Sequence, residues 1–189
     1  VEIDLDGCSG PSRYGINSPL NYATAYSVFA IKCVVAPDIP NNMGSLAPFV
    51  VVAPDNSIVN AKSPSPVNCR HIVGQLLSDL VLGCAHKMSP GTVPAEGTSV
   101  LWDLPMRGGF SPHENPEARP FVIELVHNGG TGARPRKDGL STTAYPSGVK
   151  ASQIEITETT TPLIVLQREY RTDSGGAGQQ RGGLGQIIR

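Results

Sequence analysis

The sequence predicts an α+β fold: two buried helices packed against short, mostly antiparallel or mixed strands, with structured glycine-rich loops. Three observations carry this. Val73, Leu76, Leu77, Leu80, Val81 and Cys84 recur at i, i+3, i+4, i+7, i+8 and i+11, the period of an amphipathic helix. A second run, Leu20 to Val34, is apolar over most of its circumference, as in a helix buried on several sides. Short β-prone runs fill the remainder, and two of them lead directly into glycine clusters.

In chain order, Glu2, Asp4 and Asp6 alternate with Ile3 and Leu5, which makes them the wet face of a half-buried strand. Ser18-Pro19 opens the first helix, with Ser as cap and Pro at the first helical position, and Pro37 stops it after about Ala36. Asn21, Thr24, Ser27 and Lys32 form its one polar stripe. Residues 38–45 read as a loop, 49–53 as a strand, and Pro54-Asp55-Asn56 as a turn. The second helix spans about Val67 to Met88, and further strands are expected at 99–104, 121–127, 153–158 and 163–171. A Pro/Gly loop between Pro105 and Pro120 carries His113 and Glu114.

The clusters are Gly129-Gly130-Thr131-Gly132-Ala133-Arg134 and the tail from Asp173 to Gly185. Six of the eleven residues from Gly175 to Gly185 are glycine, yet Arg181 and Leu184 interrupt them where a spacer would carry Ser or Gly. Glycine costs backbone entropy, so both segments read as shaped backbone at the rim of a site or interface. Neither matches a nucleotide-binding loop: G-x-x-x-x-G-K-[ST] is absent, and Arg181 stands where a dinucleotide fingerprint needs glycine.

At 189 residues the chain is one domain, or a fragment of a longer polypeptide, an expectation raised by its opening at Val1 and its end at Arg189. A formal net charge of −1 supplies no basic field for nucleic acid or anionic lipid. Cys8, Cys33, Cys69 and Cys84 lack C-x-x-C spacing, and reduced, packed thiols are expected. The sequence contains no long uncharged apolar stretch, and a cytoplasmic location is the expectation.

His71, Gln75, Asp79 and His86 share one face of the second helix. Helical rise puts His71 about 12 Å from Asp79, too far for one metal ion. A capping or interface cluster is the leading reading, with His71 beside Asn68 as a polar catalytic group the sharper one. His113 and His127 are solitary, suited to loop hydrogen bonding or interface packing. The basic turn Arg134-Pro135-Arg136-Lys137-Asp138-Gly139 either anchors a substrate carboxylate or phosphate or is a solvated loop with a local pair to Asp138.

The ordered set Ile16-Asn17-Ser18-Pro19-Leu20, Pro37-Asp38-Ile39-Pro40-Asn41-Asn42-Met43-Gly44, Pro66-Val67-Asn68-Cys69-Arg70-His71, Gly129 to Arg134 with Lys137-Asp138-Gly139, and Asp173 to Gly178 with Arg181-Gly182-Gly183-Leu184-Gly185 resembles the hydantoinase B/oxoprolinase family over nearly the whole chain. The resemblance extends to acetone carboxylase alpha subunits and covers the C-terminal portion of a B-type subunit. It implies part of an oligomeric, ATP-dependent enzyme that opens a small cyclic amide, or carboxylates in the acetone carboxylase branch; a non-catalytic assembly module is the third reading. ATP and Mg²⁺ are then expected on an A-type partner subunit, and the divalent metal on the N-terminal part of the B subunit, upstream of this stretch. The candidate roles are Asn68 and His71 in catalysis and Arg134, Asp138 and Arg181 in substrate binding; no metal ligand is assigned.

Overall fold

The computed structural model describes residues 1–99, 101–109, 117 and 119–189. Its elements are β1 (Glu2–Asp4), α1 (Leu20–Val35), α2 (Met43–Leu46), β2 (Val50–Val52), α3 (His71–Met88), β3 (Leu101–Gly108), β4 (Phe121–Asn128), α4 (Ile154–Thr160), β5 (Arg168–Tyr170) and β6 (Gln186–Ile188). The strands pair two by two: β1 with β2 in parallel, β3 with β4 and β5 with β6 antiparallel. The α+β expectation with mixed short strands is what the chain adopts.

The core lies where α1 crosses α3. Leu5, Ala23, Val59 and Leu77 form one buried cluster, and Ala30, Val81, Leu82 and Val93 a second. Small residues set the approach of the helices. A Cβ at Gly74 would lie 2.6 Å from the Tyr22 ring, and Ser78 Oγ donates to the Tyr26 carbonyl across the interface at 3.0 Å. The first strand keeps its expected alternation, Glu2 and Asp4 outward around a half-buried Ile3.

Several expectations are corrected. The polar stripe of α1 is divided: Asn21 is exposed and Thr24 half-buried, but Ser27 and Lys32 are buried. Ser27 is fully buried, small enough for the helix crossing, while Phe29 and Val35 are exposed. Lys32 is also buried, and its ammonium donates to the Ala36 and Ile39 carbonyls, satisfying the end of the helix, where positive charge complements the dipole. Ser18 does not cap: Pro19 is the N-cap, and the Ser18 hydroxyl turns to the Pro19 carbonyl. Residues 43–46 in the expected loop form α2, because Asn42 and Ser45 close a reciprocal capping box.

The segment expected as a strand at 153–158 is helix α4. Its Ile154/Ile156 alternation is coincidental; the face that is buried or half-buried, Ile154, Thr157 and Thr161, has helical spacing. Thr157, Thr160 and Thr161 turn their hydroxyls to carbonyls four residues back. The third strand starts at Leu101 and runs through Pro105 to Gly108; both strands of a two-stranded ribbon are edge strands, where Pro is tolerated. Only Arg168–Tyr170 of the 163–171 stretch enters a ladder, and β6 was not anticipated. Cys33 and Cys84 are exposed rather than packed, at the outer edges of their helices, and all four thiols are free. His113 and Glu114 lie outside the described residues.

Candidate functional site

Two sets of candidate residues emerge, on different supports. The first surrounds the start of α3. Asn17, fully buried, anchors the preceding loop: its amide nitrogen donates to the Ser12, Tyr14 and Pro66 carbonyls, and its oxygen accepts from Ser12 N. That loop supports 66–69 through Cys69 N donating to Gly15 O at 2.8 Å. Asn68 is exposed and lies so close over Gly15 that a Cβ there would meet its side-chain oxygen at 1.7 Å.

One residue into the helix, His71 Nε2 stands 3.3 Å from Asp103 Oδ2 of β3, both half-buried. Among the described residues Nδ1 of His71 has no hydrogen-bond partner. The carboxylate attracts the ring when it carries a proton, and no hydrogen bond joins the two, so the ring is open to exchange a proton. Asp103 escaped the sequence reading; its only signal was a carboxylate inside an otherwise apolar strand.

The polar face of α3 foreseen from sequence is thus an interface with β3 and the loop before it. Two turns beyond His71, buried Asp79 accepts from Gly97 N at 3.1 Å and from the Ser99 hydroxyl. Ser99 has φ of +50°, a left-handed conformation uncommon for serine, and the carboxylate holds it there. Between them Gln75 is buried, with its amide nitrogen 3.5 Å from Ser147 Oγ. His86 is exposed at the far end and accepts from Gly91 N. Tyr26, below this face, is pushed up to about 12 by burial, its hydrogen bond from the Tyr22 side and the nearby phenol, against a smaller opposing pull from Arg70.

The second set is the glycine stack. Gly130, Gly132, Gly139 and Gly183 meet backbone to backbone: added Cβ atoms would fall 2.0 Å from Gly183 O, 1.8 Å from Ala95 O, 2.3 Å from Thr131 O and 2.0 Å from Leu140 O respectively. Thr131 N donates to Leu140 O, Gly183 N to Thr131 O and Gly139 N to Arg181 O. Both clusters are therefore shaped backbone, as the sequence suggested, and they are shaped against each other. Asp138 Oδ1 accepts from Arg181 N at 2.8 Å, joining the basic turn to the tail. Arg134 uses Nε and one terminal nitrogen on the Asp138 carbonyl, at 2.9 and 2.7 Å, so the local pair runs to the backbone and not to the carboxylate. The Arg181 guanidinium makes no hydrogen bond among the described residues.

Arg134 also lines a cleft of about 1310 Å³, with Leu76, Asp79, Leu80, Glu96 and Gly97. His71 lies outside this lining, about 8 Å along the helix from Leu76. The structure thus gathers Arg134, Asp138 and Arg181, and holds His71 and Asn68 apart from them. Solitary His127 sits in β4; both ring nitrogens are buried without a hydrogen bond among the described residues, and burial, then the Arg168 charge, lowers its pKa. No group of three His, Cys, Asp or Glu residues gathers as a metal site among the described residues, and no helix is long and apolar enough to cross a membrane.

A helix pair flanked by two-stranded sheets carries both the His71–Asp103 pair and the glycine stack. Residues 1–189 match the hydantoinase B/oxoprolinase model, and the chain belongs to that family. It is 28% identical over 186 residues to 5-oxoprolinase of Dictyostelium discoideum, covering 95% of this chain and 13% of that protein. To caprolactamase subunit beta of Pseudomonas jessenii it is 29% identical over 140 residues, 72% of this chain and 24% of that one. The crystal structure of ATP-dependent caprolactamase from Pseudomonas jessenii superposes with a TM-score of 0.80 at 22% identity, covering 99% of this chain and 33% of that one, which shows a shared fold. The chain spans 31%, 14% and 13% of the length of the first three curated relatives it matches.

Proposed function

We propose that this chain is part of a B-type subunit of an ATP-dependent enzyme that hydrolyses a small cyclic amide of the hydantoin or 5-oxoproline type. An A-type partner binds ATP and Mg²⁺ and activates the ring, and a divalent metal is held by B-subunit polypeptide outside this stretch. Family membership across the whole chain supports the class. The names 5-oxoprolinase and caprolactamase subunit beta support cyclic amides and a multi-subunit enzyme.

The observation that carries a role for this chain is the His71–Asp103 pair. Opening an amide ring needs a proton removed from water and one delivered to the leaving nitrogen. His71 moves that proton at a ring nitrogen, and the Asp103 carboxylate, 3.3 Å from Nε2, stabilises the ring while it is protonated. Asn68, exposed one turn earlier, polarises the substrate carbonyl. On the separate glycine stack, Arg181 is the freer cation for an anionic group, because Arg134 is already committed to the Asp138 carbonyl; it acts apart from the His71 end. Asp138 acts by holding Arg181 through its backbone.

The test is lactam turnover by the full-length protein with its ATP-using partner. His71→Ala is expected to lower kcat by about 100-fold or more, the range for a general acid–base group, with thermal unfolding unchanged. Wild-type turnover in that variant returns His71 to a purely structural role. Assaying with and without bicarbonate separates hydrolysis from carboxylation. Exposed Leu76, Leu80, Trp102 and Val122 favour an accompanying assembly role, seen as partner binding that survives His71→Ala.

A further inference from the structure

Lys32 is only 6% exposed, yet no carboxylate pairs with its ammonium among the described residues. A buried lysine is almost always paired, because an uncompensated charge away from water is costly. The Ala36 carbonyl, at 3.4 Å, and the Ile39 carbonyl accept from Nζ. Both supply dipoles and no formal charge. An ammonium carries three donors, so one N–H is left without a partner among the described residues. Asp38, in the adjoining loop, is exposed and makes no ion pair there among the described residues.

This cation lines a pocket of about 760 Å³ bounded by α1, the segment that follows it and Leu46 of α2. Asn21, Ala25, Val28 and Lys32 line it from one face of the helix, at i, i+4, i+7 and i+11. The face from Thr24 to Lys32 is about 12 Å long. Phe29, Ile39 and Leu46 also line the pocket and are 38%, 53% and 38% exposed, so apolar surface stays open there. Mostly apolar walls with a few polar groups are the make-up of small-molecule sites.

We infer that this pocket binds a small carboxylate with an unbranched apolar body, its carboxylate on the remaining N–H of Lys32 and its chain along Val28, Phe29 and Leu46. The charge selects an anion. A strongly hydrated ion such as phosphate would surrender its water against apolar walls without gaining donors in return. A carboxylate that carries a hydrocarbon chain satisfies the cation and covers the walls together. None of the proposed catalytic and substrate-binding residues except Arg134 lines any described pocket, and Arg134 lines the other cleft, so the inference is independent of that reading.

Calorimetric titration of the full-length protein with hexanoate tests it, with hexanamide as the neutral isostere. Hexanoate is expected to bind with a Kd of about 1 mM or tighter, and hexanamide at least about tenfold more weakly. Lys32→Met, which removes the charge and keeps an unbranched side chain, should weaken hexanoate at least about tenfold and leave hexanamide unchanged. Ala25→Trp keeps the cation and fills the pocket from an exposed helix position, so it should weaken both ligands and does not depend on the folding of the Lys32 variant. Equal affinity for hexanoate and hexanamide assigns Lys32 to the helix end alone and overturns the proposal. So does hexanoate affinity that Ala25→Trp leaves unchanged. Absence of binding by the wild-type protein up to about 10 mM hexanoate overturns it as well, and leaves the pocket to a neighbouring polypeptide.

Discussion

Replacing Gly130 with alanine tests whether the glycine stack is a packed device. The new Cβ would sit 2.0 Å from Gly183 O, where ordinary contact begins at 3.4 Å, so the two loops must part by about 1.4 Å. The obstacle is backbone on both sides, and no rotamer change relieves it. Overpacking of this kind costs about 1–3 kcal/mol. Parting the loops also weakens Gly183 N to Thr131 O and Thr98 N to Gly130 O, for about 1 kcal/mol each. Reduced freedom of the unfolded chain returns about 0.4–1 kcal/mol. The net expectation is a loss of about 2–5 kcal/mol. Gly176 supplies the control: nothing lies within 4 Å of its added Cβ, and its φ is not in the left-handed region. Gly176→Ala should therefore be neutral to stabilising, by up to about 1 kcal/mol. Urea unfolding followed by circular dichroism reads both as shifts in midpoint at constant slope. Two variants within about 0.5 kcal/mol of each other would refute the argument, because they differ only in what the Cβ meets.

Asp79→Ala leaves Gly97 N–H and the Ser99 hydroxyl without their buried acceptor and releases Ser99 from its left-handed backbone. A loss of about 2–4 kcal/mol in urea midpoint is expected, with Asp79→Glu restoring little because the carboxylate no longer fits. His127 stays neutral in the fold below the pH at which the unfolded chain takes up a proton there, so the unfolded state binds more protons under acid conditions. Stability should fall as pH drops through about 6.5. His127→Phe, which removes the two unpartnered buried nitrogens, should flatten that fall when midpoints at pH 5.5 and 7.5 are compared. Equal pH dependence in the two proteins would reject the assignment.

The helices were legible because burial imposes a period that survives in one sequence: the Val73, Leu77, Val81 stripe faces the core. The same pattern mispriced its other edge, since Leu76 and Leu80 follow the period yet stay exposed beside the cleft. Small polar residues misled for the opposite reason. Ser27 reads as a solvent position, but its size is what a close helix crossing requires. Ile154 and Ile156 look like a strand in six residues; only the threonine back-bonding and the burial of Thr157 and Thr161 reveal α4. The glycine clusters were recognisable as shaped, though not as partners, because backbone contacts leave no side-chain code. Asp103 could not be matched to His71 for a related reason: they are 32 positions apart, and only the fold brings them together.

Where loops meet through their main chains, the letters they display are released from holding the fold. Arg136, Lys137 and Leu140 all project outward from the stack, whose contacts are made by Gly130, Gly132, Gly139 and Gly183. A scaffold built from backbone contacts thus leaves the outward side chains beside it unconstrained by packing. A Cβ at any of the four glycines would meet backbone at 2.3 Å or less, whereas a change at Arg136, Lys137 or Leu140 meets solvent and leaves the architecture beneath undisturbed.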